Sequence, residues 1–287
     1  MKQILVISGK GGTGKTSFTA AFASLSVNSI FCDCDVDAAD LYLILKPTII
    51  EEKAFISGHK ASIDSDKCIS CGKCYELCRF QAVDNSDKYS IKDIFCEGCA
   101  VCVWNCPSKA ISLNDSYSGK SFISDTRFGK MSHAKLLPGA ENSGKLVSVV
   151  RQNAYELAKV NNAQFIIIDG PPGIGCPVIA SMTGVNLIII VTEPSLSGLS
   201  DMERVIELSN QFGITVKVCI NKSDINDRIC NIIEEKLTGK GIEILGKIPY
   251  DKNFKSALIE GKAITEYTDN SSSRELISIW NKIIKSL

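Results

Sequence analysis

The chain has 287 residues, 45% hydrophobic and 22% charged, and its 32 Lys+Arg balance 32 Asp+Glu for a formal net charge of 0. Such values suit one large or two moderate soluble domains with a sizeable core, exclude wholesale disorder, and remove the electrostatic case for nucleic acid. The unusual feature is 13 cysteines.

The first strand-like run, Ile4-Leu5-Val6-Ile7, is too short for a secretory h-region, and no apolar run approaches the ~18 residues of a membrane span. The expected compartment is cytoplasmic, where cysteines serve as metal ligands more often than in disulfides. The run leads into Gly9-Lys10-Gly11-Gly12-Thr13-Gly14-Lys15-Thr16 and a helical stretch over 16–27. Strand, Gly-rich turn and helix in this order form a P-loop, whose N–H groups and helix N-terminus receive phosphate oxygens. Gly11, Gly12, Thr13, Gly14, Lys15, Thr16 and Ser17 are the candidate nucleotide contacts, with Lys15 on the β/γ phosphates and Thr16 on Mg2+. With Lys10, the loop resembles the deviant Walker A signature of the MinD/ParA/Mrp and nitrogenase iron-protein superfamily. That resemblance implies ATP, and a Lys10 that reaches across an ATP-bound dimer to the partner's phosphates.

The second strand, Ile30-Phe31-Cys32, ends in Asp33-Cys34-Asp35-Val36-Asp37-Ala38-Ala39-Asp40. Carboxylates at a strand's C-terminal end lie at the usual ligand crevice of such sheets. One can help hold hydrated Mg2+ and another can orient the attacking water. The resemblance gives the catalytic role to Asp35, as in the family's switch I, with Asp33 and Asp37 in support. A short connection at Val27-Asn28-Ser29 leaves that role open between Asp33 and Asp35, and Asp40 suits a helix cap near Leu41.

Two cysteine runs follow: Cys68-x2-Cys71-x2-Cys74-x3-Cys78 and, 28 residues on throughout, Cys96-x2-Cys99-x2-Cys102-x3-Cys106-Pro107. In such runs the fourth cysteine serves the neighbouring cubane. Cys68, Cys71, Cys74 and Cys106 are therefore expected to hold one [4Fe-4S] cluster, and Cys96, Cys99, Cys102 and Cys78 the other. The segment resembles a bacterial two-cluster ferredoxin, with Arg79 where a proline often stands. Zinc also accepts four cysteines, but the doubled x2-x2-x3 spacing disfavours it.

Beyond the insert, Ser143 suits the N-cap of a helix over 146–160, and Lys145 and Arg151 near its start could face a nucleotide or partner, with a solvated helix start expected first. Phe165-Ile166-Ile167-Ile168 ends in Asp169 and Gly170-Pro171-Pro172-Gly173, which follows Walker B logic and resembles the family's switch II. Asp169 would sit near Mg2+-bound water, and the Gly173 N–H at the γ-phosphate. Cys176 follows, either as a metal or redox ligand or as a small buried residue at the switch. Strands at 187–191, 216–220 and 242–248 alternate with helices near 199–212, 225–238 and 253–260. Asn221 resembles the family's adenine-contacting Asn, and Pro249 also frames the base. Asn221-Lys222-Ser223-Asp224 could suggest guanine, but the Lys10-type loop favours adenine. Cys219 and Cys230 belong to the core, and His59 and His133 have structural or solvent roles by default. The C-terminal segment places Leu276, Ile279, Trp280, Ile283, Ile284 and Leu287 on one face, with Ser271-Ser272-Ser273 as its cap. It is expected to pack on the sheet rather than bind lipid.

The expected fold is α/β: a mostly parallel-sheet P-loop NTPase over 1–62 and 114–287, with a small α+β ferredoxin-like domain inserted at 63–113. The expected partners are a second copy in the presence of ATP and a redox or apo-metalloprotein, with no nucleic acid and no membrane. The activity expected first is ATP-gated electron transfer. The alternatives are a factor that assembles or delivers iron–sulfur or metal cofactors, and a positioning ATPase with sensory clusters.

Overall fold

The computed structural model describes residues 1–140 and 144–287. Its strands are β1 (Lys2–Ile7), β2 (Ser29–Asp33), β3 (Thr48–Ile63), β4 (Val83–Asp84), β5 (Ser90–Ile91), β6 (Ile111–Thr126), β7 (Gly129–Leu136), β8 (Phe165–Asp169), β9 (Leu187–Thr192), β10 (Thr215–Asn221) and β11 (Glu243–Ile248). Its α-helices are α1 (Lys15–Leu25), α2 (Leu41–Leu45), α3 (Lys73–Leu77), α4 (Val101–Trp104), α5 (Lys145–Val160), α6 (Cys176–Met182), α7 (Leu196–Gln211), α8 (Asp227–Gly239), α9 (Asn253–Ile259), α10 (Ile264–Tyr267) and α11 (Ser271–Lys285). Two compact units divide the chain: one holds Met1–Lys53, Ser121–Lys135 and 144–287, and the other holds Ala54–Lys120 and a stretch from Leu136.

In the first unit the sheet order is β11-β10-β9-β1-β8-β2-β7, followed by the parts of β6 and β3 over 121–126 and 48–53. Every registered pair from β11 to β7 is parallel. Strands covered on both faces must be apolar throughout, and β1, β8 and β9 are nearly continuous Ile, Leu and Val with almost no exposure. Phe18 and Phe22 of α1 anchor one covering layer. Phe22 stacks on Trp280 of α11 with ring centroids 5.5 Å apart, and Phe18 stacks on Phe254 at 6.4 Å. Cys219 and Cys230 are buried, in line with a core role.

Helix α11 buries Leu276, Ile279, Trp280 and Ile283, so its apolar stripe packs as expected, although Ile284 remains 41% exposed. Its cap is Asn270, whose side chain accepts from Ser273 N, so the three serines form the first turn rather than the cap. Among the described residues no helix is long and apolar enough to cross a membrane. Helix α5 has Gly144 at its N-cap position, and Ser143 lies outside the described residues. Asp40 stands at the N-cap of α2 but makes no side-chain cap bond.

The sequence reading missed β3, β6 and β7. Strand β3 is mostly exposed, with Glu and Lys among its 16 residues, and β6 is rich in serine, so neither offers an apolar run. The segment expected as an insert lies within the second unit. Its duplication is visible in the backbone: the left-handed residues Ser70, Gly72 and Gln81 recur 28 positions later as Gly98, Ala100 and Lys109. Helices α3 and α4 begin at matching places in the two copies.

Candidate functional site

Strands β1, β2 and β8 are neighbours, and their C-terminal ends bring the P-loop, the acidic run and Asp169 together. Helix α1 starts at Lys15, directly after Gly14, whose φ of 98° is open to glycine and strained for other residues. A Cβ there would also stand 2.5 Å from Asn221 Nδ2. Around Gly11, Gly12 and Gly173 no other atom lies within 4 Å of where a Cβ would be, so the loop and the start of switch II border open space. Thr13 Oγ1 is buried without a hydrogen-bond partner, and Ser17 is half-buried on α1. A phosphate chain fits this surface: it would satisfy loop N–H groups and lie at a helix N-terminus.

Lys15 is buried among carboxylates. Its Nζ lies 3.0 Å from Asp169 Oδ1 and 3.3 Å from Asp35 Oδ2. Thr16 Oγ1 donates to Asp169 Oδ2 at 2.8 Å, and Thr19 Oγ1 to Asp169 Oδ1 at 2.9 Å. Asp33 is paired in register with Asp169 on the adjacent parallel strand. Its Oδ1 accepts from Asp35 N at 3.1 Å, while its buried Oδ2 has no partner. Burial, and then the charge of Asp169, push the Asp33 carboxyl well above its ordinary range. Burial also raises Asp35, against the pull of Lys15. Burial works to lower Lys15, but Asp169, Asp35 and Asp33 outweigh it and raise the ammonium. Three acids facing one lysine, with an orphaned carboxylate oxygen, suit a hydrated divalent cation held beside Thr16. Asp37 lies nearby in sequence but is exposed.

The remaining expected residues ring this centre. Lys10 Nζ contacts Glu193 Oε1 at 2.9 Å and Ser197 Oγ at 3.1 Å. Gly173 donates its N–H to Ser8 O at 3.0 Å, which ties switch II to the P-loop strand. Asn221 donates Nδ2 to Thr13 O at 2.8 Å, so its amide braces the loop from below. Lys222 Nζ reaches Gly12 O at 3.0 Å. Pro249 is half-buried after β11, where Tyr250 N donates to Asp224 Oδ1 at 2.6 Å. Cys176 opens α6 and is exposed, which corrects the alternative of a buried residue. Arg151, expected in solvent, instead donates to Ser181 O and to Thr183 O at the end of α6 and to Gln3 Oε1.

Sequence reading missed Thr19 and Glu193, and named Lys222 only within a guanine-type string, not as a partner of the P-loop. Thr19 lies one helical turn past Lys15, and Glu193 directly follows a buried strand, as Asp169 closes one. Both spacings were available as signals.

In the second unit the eight clustered cysteines line two cavities. Cys68, Cys71, Cys74 and Cys106 border one. Cys78, Cys96, Cys99 and Cys102 border the other. Each cavity thus takes three cysteines from one run and the fourth from the other run. None of the eight is in a disulfide. Ala82 N points at Cys78 Sγ at 3.4 Å, Ala110 N at Cys106 Sγ at 3.2 Å, and Ala61 N at Cys96 Sγ at 3.4 Å. At Cys106 burial raises the thiol, but the N–H groups of Ala110 and Ser108 and the Ser108 hydroxyl win and lower it. Among the described residues no three His, Cys, Asp or Glu side chains converge closely enough to hold a single metal ion. Thiols spaced around a cavity and served by N–H donors fit a polynuclear cluster.

Over residues 4–264 the chain matches the family described as the CobQ/CobB/MinD/ParA nucleotide binding domain. It is 32% identical over 286 residues to an uncharacterized protein of Methanocaldococcus jannaschii, covering 98% of this chain and 96% of that one. It is 29% identical over 156 residues to the iron-sulfur cluster carrier protein of Pyrococcus horikoshii, covering 50% of this chain and 53% of that one. Among solved structures, it is similar to the septum site-determining protein MinD complexed with Mg-ADP from Pyrococcus horikoshii. The TM-score is 0.59 at 17% identity, covering 99% of this chain and 96% of that chain.

Proposed function

Because the chain belongs to the CobQ/CobB/MinD/ParA nucleotide-binding family and is a P-loop ATPase, we propose that it couples an ATP-driven dimer switch to electron transfer through two [4Fe-4S] clusters. The clusters would be held in the ferredoxin-like segment 63–113. The observation that carries this reading is the pair of cavities, each bordered by three cysteines of one run and the fourth of the other. That interchange is the arrangement an x2-x2-x3 double run requires for two cubanes. Four-cysteine sites that each ring a cavity suit retained redox centres.

In the ATPase unit, the N–H groups of Gly11 to Thr16 receive the phosphates, and Ser17 lies just behind them. Lys15 turns from Asp169 and Asp35 toward the β/γ phosphates. Thr16, with Asp169, would hold Mg2+, which would supply charge stabilisation to the phosphoryl group. Asp35 orients the attacking water. Lys10 completes the site of a second protomer and stabilises charge on its γ-phosphoryl oxygens. The Gly173 N–H exchanges Ser8 O for the γ-phosphate, so hydrolysis releases switch II. Asn221 and Pro249 flank the adenine end.

A second reading, delivery of a cluster to an apo-protein, is favoured by the similarity to an iron-sulfur cluster carrier protein. One experiment separates the two. Anaerobically purified protein is reduced and mixed with a one-electron acceptor dye or an apo-ferredoxin, with and without MgATP. ATP-dependent dye reduction with iron retained supports electron transfer. Iron passing to the apo-protein supports delivery. Zinc, or about four irons per chain instead of about eight, overturns the two-cluster reading.

A further inference from the structure

Glu193 directly follows β9 and directs its two carboxylate oxygens at two lysines. Oε1 lies 2.9 Å from Lys10 Nζ, and Oε2 lies 2.8 Å from Lys222 Nζ. Lys10 also donates to Ser197 Oγ, on the first turn of α7, at 3.1 Å. Lys222 also donates to the Gly12 carbonyl at 3.0 Å. Helix α7 lies hard against the loop entrance: a Cβ on Gly9 would stand 2.7 Å from the backbone carbon of Asp201. The Glu193 side chain is 16% exposed and that of Lys10 36% exposed. Burial works to raise the Glu193 carboxyl, but Lys10 and Lys222 outweigh it and hold the group low.

We propose that Glu193 is a positioning residue that keeps Lys10 folded back on its own chain and so sets the concentration at which two protomers pair. This rests on the role of Lys10 across the dimer proposed above. An ammonium has three donors, and two of those on Lys10 are taken by Glu193 and Ser197. One lysine stem cannot reach both its own α7 and a phosphate on a second chain, so the two states exclude each other. The shared carboxylate makes the release reversible. When Lys10 departs, Glu193 keeps Lys222, which stays anchored at Gly12 O, and no half-buried charge is stranded. Breaking an unshared pair would leave such a charge and would lock Lys10 in place.

The test is sedimentation of the full-length, cluster-loaded protein with MgATP over a concentration series, for the wild type, Glu193→Gln, Lys222→Met and Lys10→Ala. Removing a partly exposed ion pair should let Glu193→Gln pair at about threefold lower concentration than the wild type. Its ADP affinity as a single chain should stay within about twofold, and the advantage should shrink as salt rises from about 0.1 to about 0.5 M. Lys222→Met should weaken ADP binding without lowering the pairing concentration. If Lys10→Ala fails to pair while Glu193→Gln pairs like the wild type, the positioning role is overturned and the dimer reading stands. If Lys10→Ala pairs and hydrolyses ATP normally, the dimer reading falls and takes this inference with it. If Glu193→Gln loses ADP affinity as strongly as Lys222→Met, Glu193 is a brace for the P-loop, and the proposal is overturned.

Discussion

Asp33 and Asp169 stand side by side in register at the ends of two parallel strands, each no more than 1% exposed, with Lys15 touching only the second. Two buried carboxylates with one adjacent cation form a strained site until a divalent cation or a phosphate chain redistributes the charge. The strain predicts a trade between stability and function. Asp33→Asn keeps an oxygen for Asp35 N and removes a charge whose Oδ2 has no partner. The nucleotide-free variant should be more stable by roughly 1–2 kcal/mol near pH 7.5. In a chain of this size that corresponds to about 2–4 °C in Tm per kcal/mol. The folded pKa of Asp33 lies above its ordinary 3.8, so its cost is full where the carboxyl is ionised in both states. As pH falls through the raised folded value toward 3.8 the cost is relieved, and the variant's advantage should fade. Thermal melts of both proteins from pH 7.5 to 4.5 measure this. An advantage that is absent at pH 7.5, or that grows on acidification, contradicts it.

The elements that carry this site were legible because their physics is local. A buried parallel strand must be apolar along its whole length, so β1, β8 and β9 announced themselves, and Asp169 stood out as the acid that closes the apolar run of β8. The two cysteine runs were legible because they repeat with the same spacing. The strands β3 and β6 were invisible for the opposite reason: β3 is largely exposed and rich in charges, and β6 sets serines at buried and exposed positions alike, so neither shows an apolar period. Glu193 was invisible as a partner of Lys10 because the two are 183 positions apart, and only the sheet order β9-β1 makes them neighbours.

The two cysteine-bearing repeats place left-handed residues at equivalent positions but exchange their glycines. Ser70 and Gly98 occupy equivalent left-handed positions, as do Gly72 and Ala100. At Gly98 a Cβ would meet the His59 carbonyl oxygen, so Gly98→Ala must distort the loop that carries Cys96 and Cys99. It should lose about half of the bound iron. Ala100 holds φ of 63° with a Cβ that strains it. Ala100→Gly should keep all the iron and be neutral or stabilised by up to about 1 kcal/mol. Iron analysis and melting of the two variants decide the matter, and equal iron loss in both would contradict the contrast.

His133 packs its ring on Phe122 with centroids 5.0 Å apart and bonds Ser124 Oγ through Nε2 at 2.9 Å. Burial lowers its pKa from 6.5 to about 4. A depressed folded value means that the unfolded chain binds the proton first. Stability is therefore complete above 6.5 and is lost as pH falls toward about 4. The loss should be roughly 2 kcal/mol, after discounting for partial exposure. His133→Gln should remove that component, so the difference in urea midpoint between the two proteins should vary with pH across this window and be flat above it. A flat difference throughout would show that folding leaves the protonation of His133 unchanged, and would contradict the prediction.

The interchange of Cys78 and Cys106 is testable by how pairs of substitutions combine, because ligands of one cluster fail together and ligands of different clusters fail separately. Cys106→Ala should reduce iron from about eight to about four per chain, and so should Cys68→Ala. If both serve the cavity shared with Cys71 and Cys74, the double variant should also keep about four. Cys106→Ala combined with Cys96→Ala strikes both cavities and should keep almost none, although Cys96 and Cys106 lie in the same run. The opposite assignment, with each run wrapping its own cluster, predicts the reverse for the two double variants. Iron and sulfide counts with EPR of the dithionite-reduced proteins read the outcome. The N–H groups of Ala82 and Ala110 make the distinction physical: each supports the crossing cysteine four residues before it, at the point where the chain leaves one cavity and its thiol serves the other.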